Sequence, residues 1–236
     1  MNPLIWLLSA TPSADPSVLG YTGLLHVPTA EVRQDATLAF RWLDAPEPLL
    51  QFPGTDRVNR TYSVILPFFP FLEGTLSFVQ VVGWTDPEVP LLPYAVHRAF
   101  NAKARLPVDW AGPAVAAGVL DPVSANFLSS GGKLNTHYGL TTFYAVATQR
   151  LGPLSLTAGY GYGDRAEGKW GRTKPFLDGV FGGADLALPG GLDLLAEYDG
   201  ITANYGARLA LPWGFGLQGG FAGGGWTAGL AAAIRL

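Results

Sequence analysis

Residues 203–211 read Ala-Asn-Tyr-Gly-Ala-Arg-Leu-Ala-Leu. Tyr205, Ala207, Leu209 and Leu211 take alternate positions, and Asn204, Gly206 and Arg208 take the positions between them. A helix, with its repeat of about 3.6 residues, would mix the two sets, whereas a strand sorts them onto opposite faces. The neighbouring runs repeat the pattern. Leu192, Leu194, Ala196 and Tyr198 oppose Asp193 and Glu197; Leu154, Leu156, Ala158, Tyr160 and Tyr162 oppose Ser155, Thr157, Gly159 and Gly161. In the last segment Trp226, Ala228, Leu230, Ala232, Ile234 and Leu236 alternate with Thr227, Gly229, Ala231, Ala233 and Arg235.

Extending this reading toward the N-terminus predicts strands at 36–45, 59–67, 71–83, 97–107, 112–120, 138–150, 153–163, 177–188, 190–199, 202–211, 213–222 and 225–236. The connectors after the even-numbered strands are tight and marked by Pro or Gly: Pro67 to Pro70, Pro107 to Pro113, Gly152-Pro153, Pro189 to Gly191 and Pro212 to Gly214. After the first, third, fifth and seventh strands come longer polar segments, Pro46 to Asn59, Thr85 to Val96, Asp121 to His137 and Asp164 to Pro175. The last two outer connectors, Asp199 to Thr202 and Gly223 to Gly225, are short. Long connectors at one end and short ones at the other are the habit of outer-membrane barrels, whose even strand count also brings both termini to the short-turn side.

Composition agrees. Only 14% of the 236 residues are charged, against about 25% in a typical soluble domain, and the mean hydropathy is +0.22. No apolar run approaches the roughly 18 residues of a membrane helix, because Gly, Pro, Asn or a charge breaks each one. A net charge of −3 without a basic run argues against nucleic acid as a partner. The chain has no cysteine, which excludes disulfides and thiolate metal sites. The sequence therefore predicts an all-β, antiparallel, up-and-down transmembrane β-barrel of about twelve strands. Residues 20–236 form that single barrel domain, and residues 1–19 read as a weak signal peptide or a disordered segment. Trp42, Trp84, Trp110, Trp170, Trp213 and Trp226, with Phe68, Phe69 and Phe71, fall near strand ends or in connectors, as interfacial girdles do.

The opening Gly20-Tyr-Thr-Gly-Leu-Leu-His-Val-Pro-Thr-Ala30 resembles the start of the YjbH-type proteins linked to exopolysaccharide production. Leu72-Glu-Gly-Thr-Leu76, Phe100-Asn-Ala-Lys103, Phe181-Gly-Gly-Ala-Asp185 and Leu195-Ala-Glu-Tyr-Asp199 are similar to later blocks of that family, in the same order. The resemblance implies an outer-membrane barrel associated with making, exporting or retaining an extracellular polysaccharide. It supplies no catalytic residues.

Few residues suggest chemistry. The three histidines, His26, His97 and His137, have no spacing that would converge on a metal. His26, beside Pro28, reads as a packing or plug residue near the barrel mouth. Gly159-Tyr-Gly-Tyr-Gly163 lacks the helix a phosphate loop needs and reads as small residues within one strand. Asn59-Arg60-Thr61 matches a glycosylation sequon by chance. Ser129 or Ser130 with His137 and Asp121 shares one long connector but has no elbow motif. No catalytic residue, metal or cofactor is expected.

The informative set is the charges on the polar strand faces: Arg41, Lys103, Arg105, Asp193, Glu197, Arg208 and Arg235. A charge on the lipid face costs about 2–4 kcal/mol near the midplane, so these belong in the lumen. There they either pair with one another and close the bore or line a narrow polar conduit. Trp84, Trp110 and Trp170 are candidates for stacking on sugars, a role that interface anchoring matches equally well. The expectation is a non-enzymatic protein of the bacterial outer membrane that supports exopolysaccharide export, secretion or surface attachment. Its expected partners are outer-membrane lipid, polysaccharide and other envelope proteins. The alternatives are a small-solute porin, or a filled barrel that anchors envelope partners.

Overall fold

A computed structural model describes residue 17 and residues 20–33, 36–45, 59–81, 95–108, 112–122, 141–163, 167–168, 171–172 and 177–235. The strands are β1 (Thr37–Ala45), β2 (Asn59–Phe69), β3 (Leu72–Val81), β4 (Ala95–Arg105), β5 (Ala114–Leu120), β6 (Thr142–Leu151) and β7 (Leu154–Gly163). They continue with β8 (Glu167–Gly168), β9 (Gly171–Arg172), β10 (Gly179–Leu188), β11 (Leu192–Tyr198), β12 (Ala203–Ala210), β13 (Phe215–Ala222) and β14 (Gly225–Arg235). Twelve of them close an antiparallel barrel in sequence order, β7 pairing directly with β10, while β8 and β9 form a separate two-stranded ribbon in the connection between those two. β1 and β14 make the closing seam, with Thr37 opposite Arg235 and Trp42 opposite Leu230.

Each of the twelve predicted strands has its counterpart. The ends differ by up to four residues, most at β6, which begins at Thr142 where the pattern predicted 138. Turn chemistry fixes the short-turn end. Gly190 and Gly191 have φ of 85° and 78°, a region open to glycine, and they reverse the chain between β10 and β11.

Alternation along the strands produces two surfaces of opposite chemistry. Outward lie Phe40, Tyr62, Leu76, Phe100, Phe143, Leu156, Tyr160, Leu194, Tyr205, Leu217 and Leu230, all exposed. Such a belt is unsuited to water and suited to acyl chains, and closure leaves no unpaired strand edge within it. Trp213 is 90% exposed at the short-turn end and Trp226 78% exposed at the opposite end, the positions of two interfacial girdles. Inward lie the buried Thr61, Ser63, Glu73, Thr75, Ser77, Asn101, Lys103, Thr148, Thr157, Glu197, Asn204 and Arg208. Apolar Leu43, Ile65, Val79, Leu120, Val146, Phe181 and Leu195 are buried with them.

The glycines of β7 face this interior. A Cβ on Gly159 would come within 2.3 Å of the Phe181 ring, so the glycine makes room for an aromatic that spans toward the centre of the barrel. Converting outward Leu194, 43% exposed in β11, to Arg is expected to lower the unfolding free energy in lipid vesicles by about 2–4 kcal/mol. Denaturant titration measures it; an unchanged value would mean that β11 does not face lipid.

Candidate functional site

The interior is occupied by the chain itself. Residues 20–33 enter the lumen ahead of β1 and turn back on themselves, with Gly23 bridged to Pro28 and Leu24 N–H donating to Val27 C=O at 2.8 Å. Tyr21, Leu24, Leu25, Val27 and Ala30 are each 1% exposed or less. They join one cluster with Leu43, Val79, Leu120, Tyr144, Val146, Phe181 and Leu195 of the wall. Gly20 lies so close to β2 that a Cβ there would sit 2.6 Å from Ser63, and its φ is 89°; only glycine fits.

A hairpin this short leaves many backbone groups without partners of its own, and burying them unpaired would cost roughly 1–3 kcal/mol each. The wall supplies the partners. The Glu197 carboxylate accepts three successive N–H groups at the hairpin tip, from Leu25 at 3.0 Å, His26 at 2.7 Å and Val27 at 3.0 Å. Asn204 Nδ2 donates to the same carboxylate at 3.1 Å. In the turn that follows β11, Asp199 meets His26 Nδ1 at 2.8 Å and accepts the N–H groups of Ile201 and Thr202 at 2.9 and 2.7 Å. Burial alone would raise the Asp199 pKa, but the hydrogen bond and charge of His26, with the Thr202 and Asn204 donors, outweigh it and hold the carboxyl below the usual range.

A second grip lies toward the short-turn end. Glu73 accepts the Thr22 N–H at 2.7 Å, the Thr22 hydroxyl and the Arg33 N–H at 3.0 Å. Lys103 Nζ lies 3.5 Å from Glu73 and donates to the Thr22 carbonyl at 2.7 Å. Arg208 donates to the Gly23 carbonyl and to Asp185, each at 3.3 Å. Thr148 accepts the Ala30 N–H at 2.9 Å. Where the hairpin leaves the lumen, Glu31 is held between Arg105 at 2.8 Å and Arg150 at 3.3 Å.

The sequence-predicted charges thus fall as follows. Lys103, Glu197 and Arg208 point inward and touch the hairpin, and Arg105 reaches its outgoing limb. Arg41 is buried and donates to Gln218 at 3.0 Å. Asp193 lies 3.8 Å from Arg208, part-buried. Arg235 ends β14 and is exposed at the short-turn mouth. Pairing of Arg with Glu is one of the two arrangements expected for these inward charges. The structure corrects that picture for Glu197, whose carboxylate is spent on backbone N–H groups rather than on an arginine. Trp84, Trp110, Trp170, Ser129, Ser130 and His137, and the side chain of His97, lie outside the described residues. Asp121 is buried, its N–H donating to Asn101 at 3.1 Å.

Glu73, Asp199 and Thr148 were not singled out as site residues from the sequence, and Asn204 was placed on the polar face of its strand without a role. Glu73 shares its strand face with Thr75 and Ser77, and Asp199 continues the inward face of Glu197. Among the described residues, His26, Glu197 and Asp199 are the trio whose ligand atoms lie within 4.8 Å of one another. Their carboxylate oxygens already serve the N–H donors above, so a cation would have to displace the hairpin tip to bind there.

A family model described as exopolysaccharide biosynthesis protein YbjH matches residues 16–207. The chain belongs to this family. The match starts just before the lumen hairpin and runs into β12, so the hairpin and its wall partners Glu73, Lys103, Thr148, Glu197, Asp199 and Asn204 lie within the family region. No curated protein matches the sequence. Among solved structures, the outer membrane phospholipase A from Escherichia coli is similar, 12% identical over 87% of this chain and 94% of that one, with a TM-score of 0.40.

Replacing Glu197 with Ala strands three buried N–H groups at once. The expected loss is on the order of 3–5 kcal/mol, read as a lower temperature for the gel-mobility shift from folded to unfolded barrel. An unaltered transition would show that the tip is not held by this carboxylate.

Proposed function

We propose that this chain is a non-enzymatic bacterial outer-membrane protein that supports exopolysaccharide export or surface attachment while its own lumen stays closed. The polymer and the envelope partners are engaged at the mouths and rim of the barrel, and do not pass through its centre. The observation that carries this reading is the hairpin of residues 20–33, buried in the lumen and bonded to opposite walls through Glu73 and Glu197.

Energy favours a filled barrel over a gated channel. Withdrawing the hairpin would expose Leu24, Leu25 and Val27, each worth about 1.5–3 kcal/mol when buried. It would also wet the apolar wall residues packed on them, Val79, Val146 and Leu195 among them. With the stranded carboxylates added, the cost reaches the order of 10 kcal/mol, comparable to the whole stability of a typical domain. A small-solute porin would need that lumen open. The exopolysaccharide role is supported by family membership, and the membrane location by the outward apolar belt.

Refolded protein inserted in a planar bilayer is expected to be silent, and cells lacking it are expected to lose surface-held exopolysaccharide. Steady discrete ion currents from the unaltered chain would overturn the closed-barrel reading, and an unchanged exopolysaccharide coat would overturn the polysaccharide role.

A further inference from the structure

The charges inside the barrel are sorted along its axis. Toward the long-connector end the buried titratable side chains include four carboxylates, Asp121, Asp178, Glu197 and Asp199. Toward the short-turn end, among the described residues, Arg33, Lys103, Arg105, Arg150, Arg208 and Arg235 accompany Glu31, Glu73, Asp185 and Asp193. By barrel convention that mouth opens to the periplasm.

Two of these groups form a receptor for a carboxylate. Arg105 is the last residue of β4 and Arg150 the penultimate residue of β6, and both strands turn these positions inward. Arg105 Nη1 meets Glu31 Oε2 at 2.8 Å, while Arg150 Nε meets Glu31 Oε1 at 3.3 Å. Each guanidinium thus serves a different oxygen of one carboxylate, so that the two cations together grip both oxygens. The side chains of Arg105 and Arg150 are 36% and 46% exposed, against 20% for Glu31. An ion pair so open to water contributes only about 0–1 kcal/mol. Glu31 adds little to the hold on the hairpin, whose secure bonds lie deeper, at Glu73 and Glu197. Its carboxylate can be exchanged for another at small cost.

We propose that the Arg105–Arg150 pair is a binding site for the carboxylate groups of an acidic polysaccharide at the short-turn mouth, with Glu31 its resident occupant. This assignment rests on the exopolysaccharide reading above and narrows it to uronate-type or other carboxylated polymers. The two part-exposed guanidinium groups draw such a chain to the mouth, and the closed lumen keeps it there.

The test is calorimetric titration of the folded barrel in detergent with a short oligogalacturonate, and with its neutral methyl ester. Glu31→Gln is expected to tighten binding of the acid roughly two- to fivefold, since the internal competitor is gone. Arg105→Gln with Arg150→Gln is expected to abolish it, and the ester is expected not to bind. An unchanged gel-mobility transition in these variants establishes that each is folded; because the altered side chains are partly exposed, that transition is expected to hold. Equal binding of acid and ester, no gain in Glu31→Gln, or equal competition by inorganic phosphate or anionic lipid vesicles would overturn the proposal. Conductance separates the two claims, because a conducting barrel refutes the closed lumen whatever the titration gives, and a silent barrel without carboxylate preference refutes the clamp alone.

Discussion

One carboxylate, on Glu197, accepts the N–H groups of Leu25, His26 and Val27 in succession. The rest of the interior depends on that arrangement. Three adjacent N–H groups converge only where the backbone turns tightly, and they form a concave, positively polarised nest that an anion completes. The nest fixes the tip of the hairpin against β11. Asp199 and Asn204 then fix His26, and the limbs of the hairpin fall where Glu73, Lys103, Thr148 and Arg208 can take up their backbone groups. A charge buried in a barrel is costly by itself. Here its cost is offset because the hairpin brings donors that nothing else in the lumen could satisfy.

This constraint explains the mixed character of the wall. A water-filled channel would call for polar residues throughout, and a dry core for apolar ones throughout. The inward faces carry both, with Glu197 and Leu195 on one strand and Glu73 and Val79 on another, because the occupant is a peptide with apolar side chains and polar backbone. The outer face has no such mixture in β11 and β12, where Leu194, Tyr198 and Tyr205 are exposed. The two faces are matched to two different solvents, acyl chains outside and a folded peptide segment inside.

The barrel was legible in the sequence because period-two alternation is a local property, and β11 and β12 display it without any knowledge of what they pair with. The asymmetry of connectors was legible for the same reason. The hairpin was not. Gly20 to Ala30 carries no alternation, and its burial is decided by residues up to 185 positions away, such as Arg208 bonding Gly23. Inward direction could be read for Glu197 and Lys103 from strand parity, but not what they would touch, since an inward carboxylate fits an arginine, a conduit or a backbone nest equally well. Family membership and structure meet at this point: the opening motif quoted from the sequence is the segment that fills the lumen.

Amide hydrogen exchange of the folded protein in detergent micelles tests the central claim most directly, because the chain's own N–H groups are the quantity in question. The account predicts that the amides of Leu25, His26 and Val27 exchange as slowly as those in the middle of β11 and β12, since all open only when the barrel does. Exchange at those three positions as fast as at an exposed loop would mean that the hairpin leaves the lumen freely, and would contradict the account.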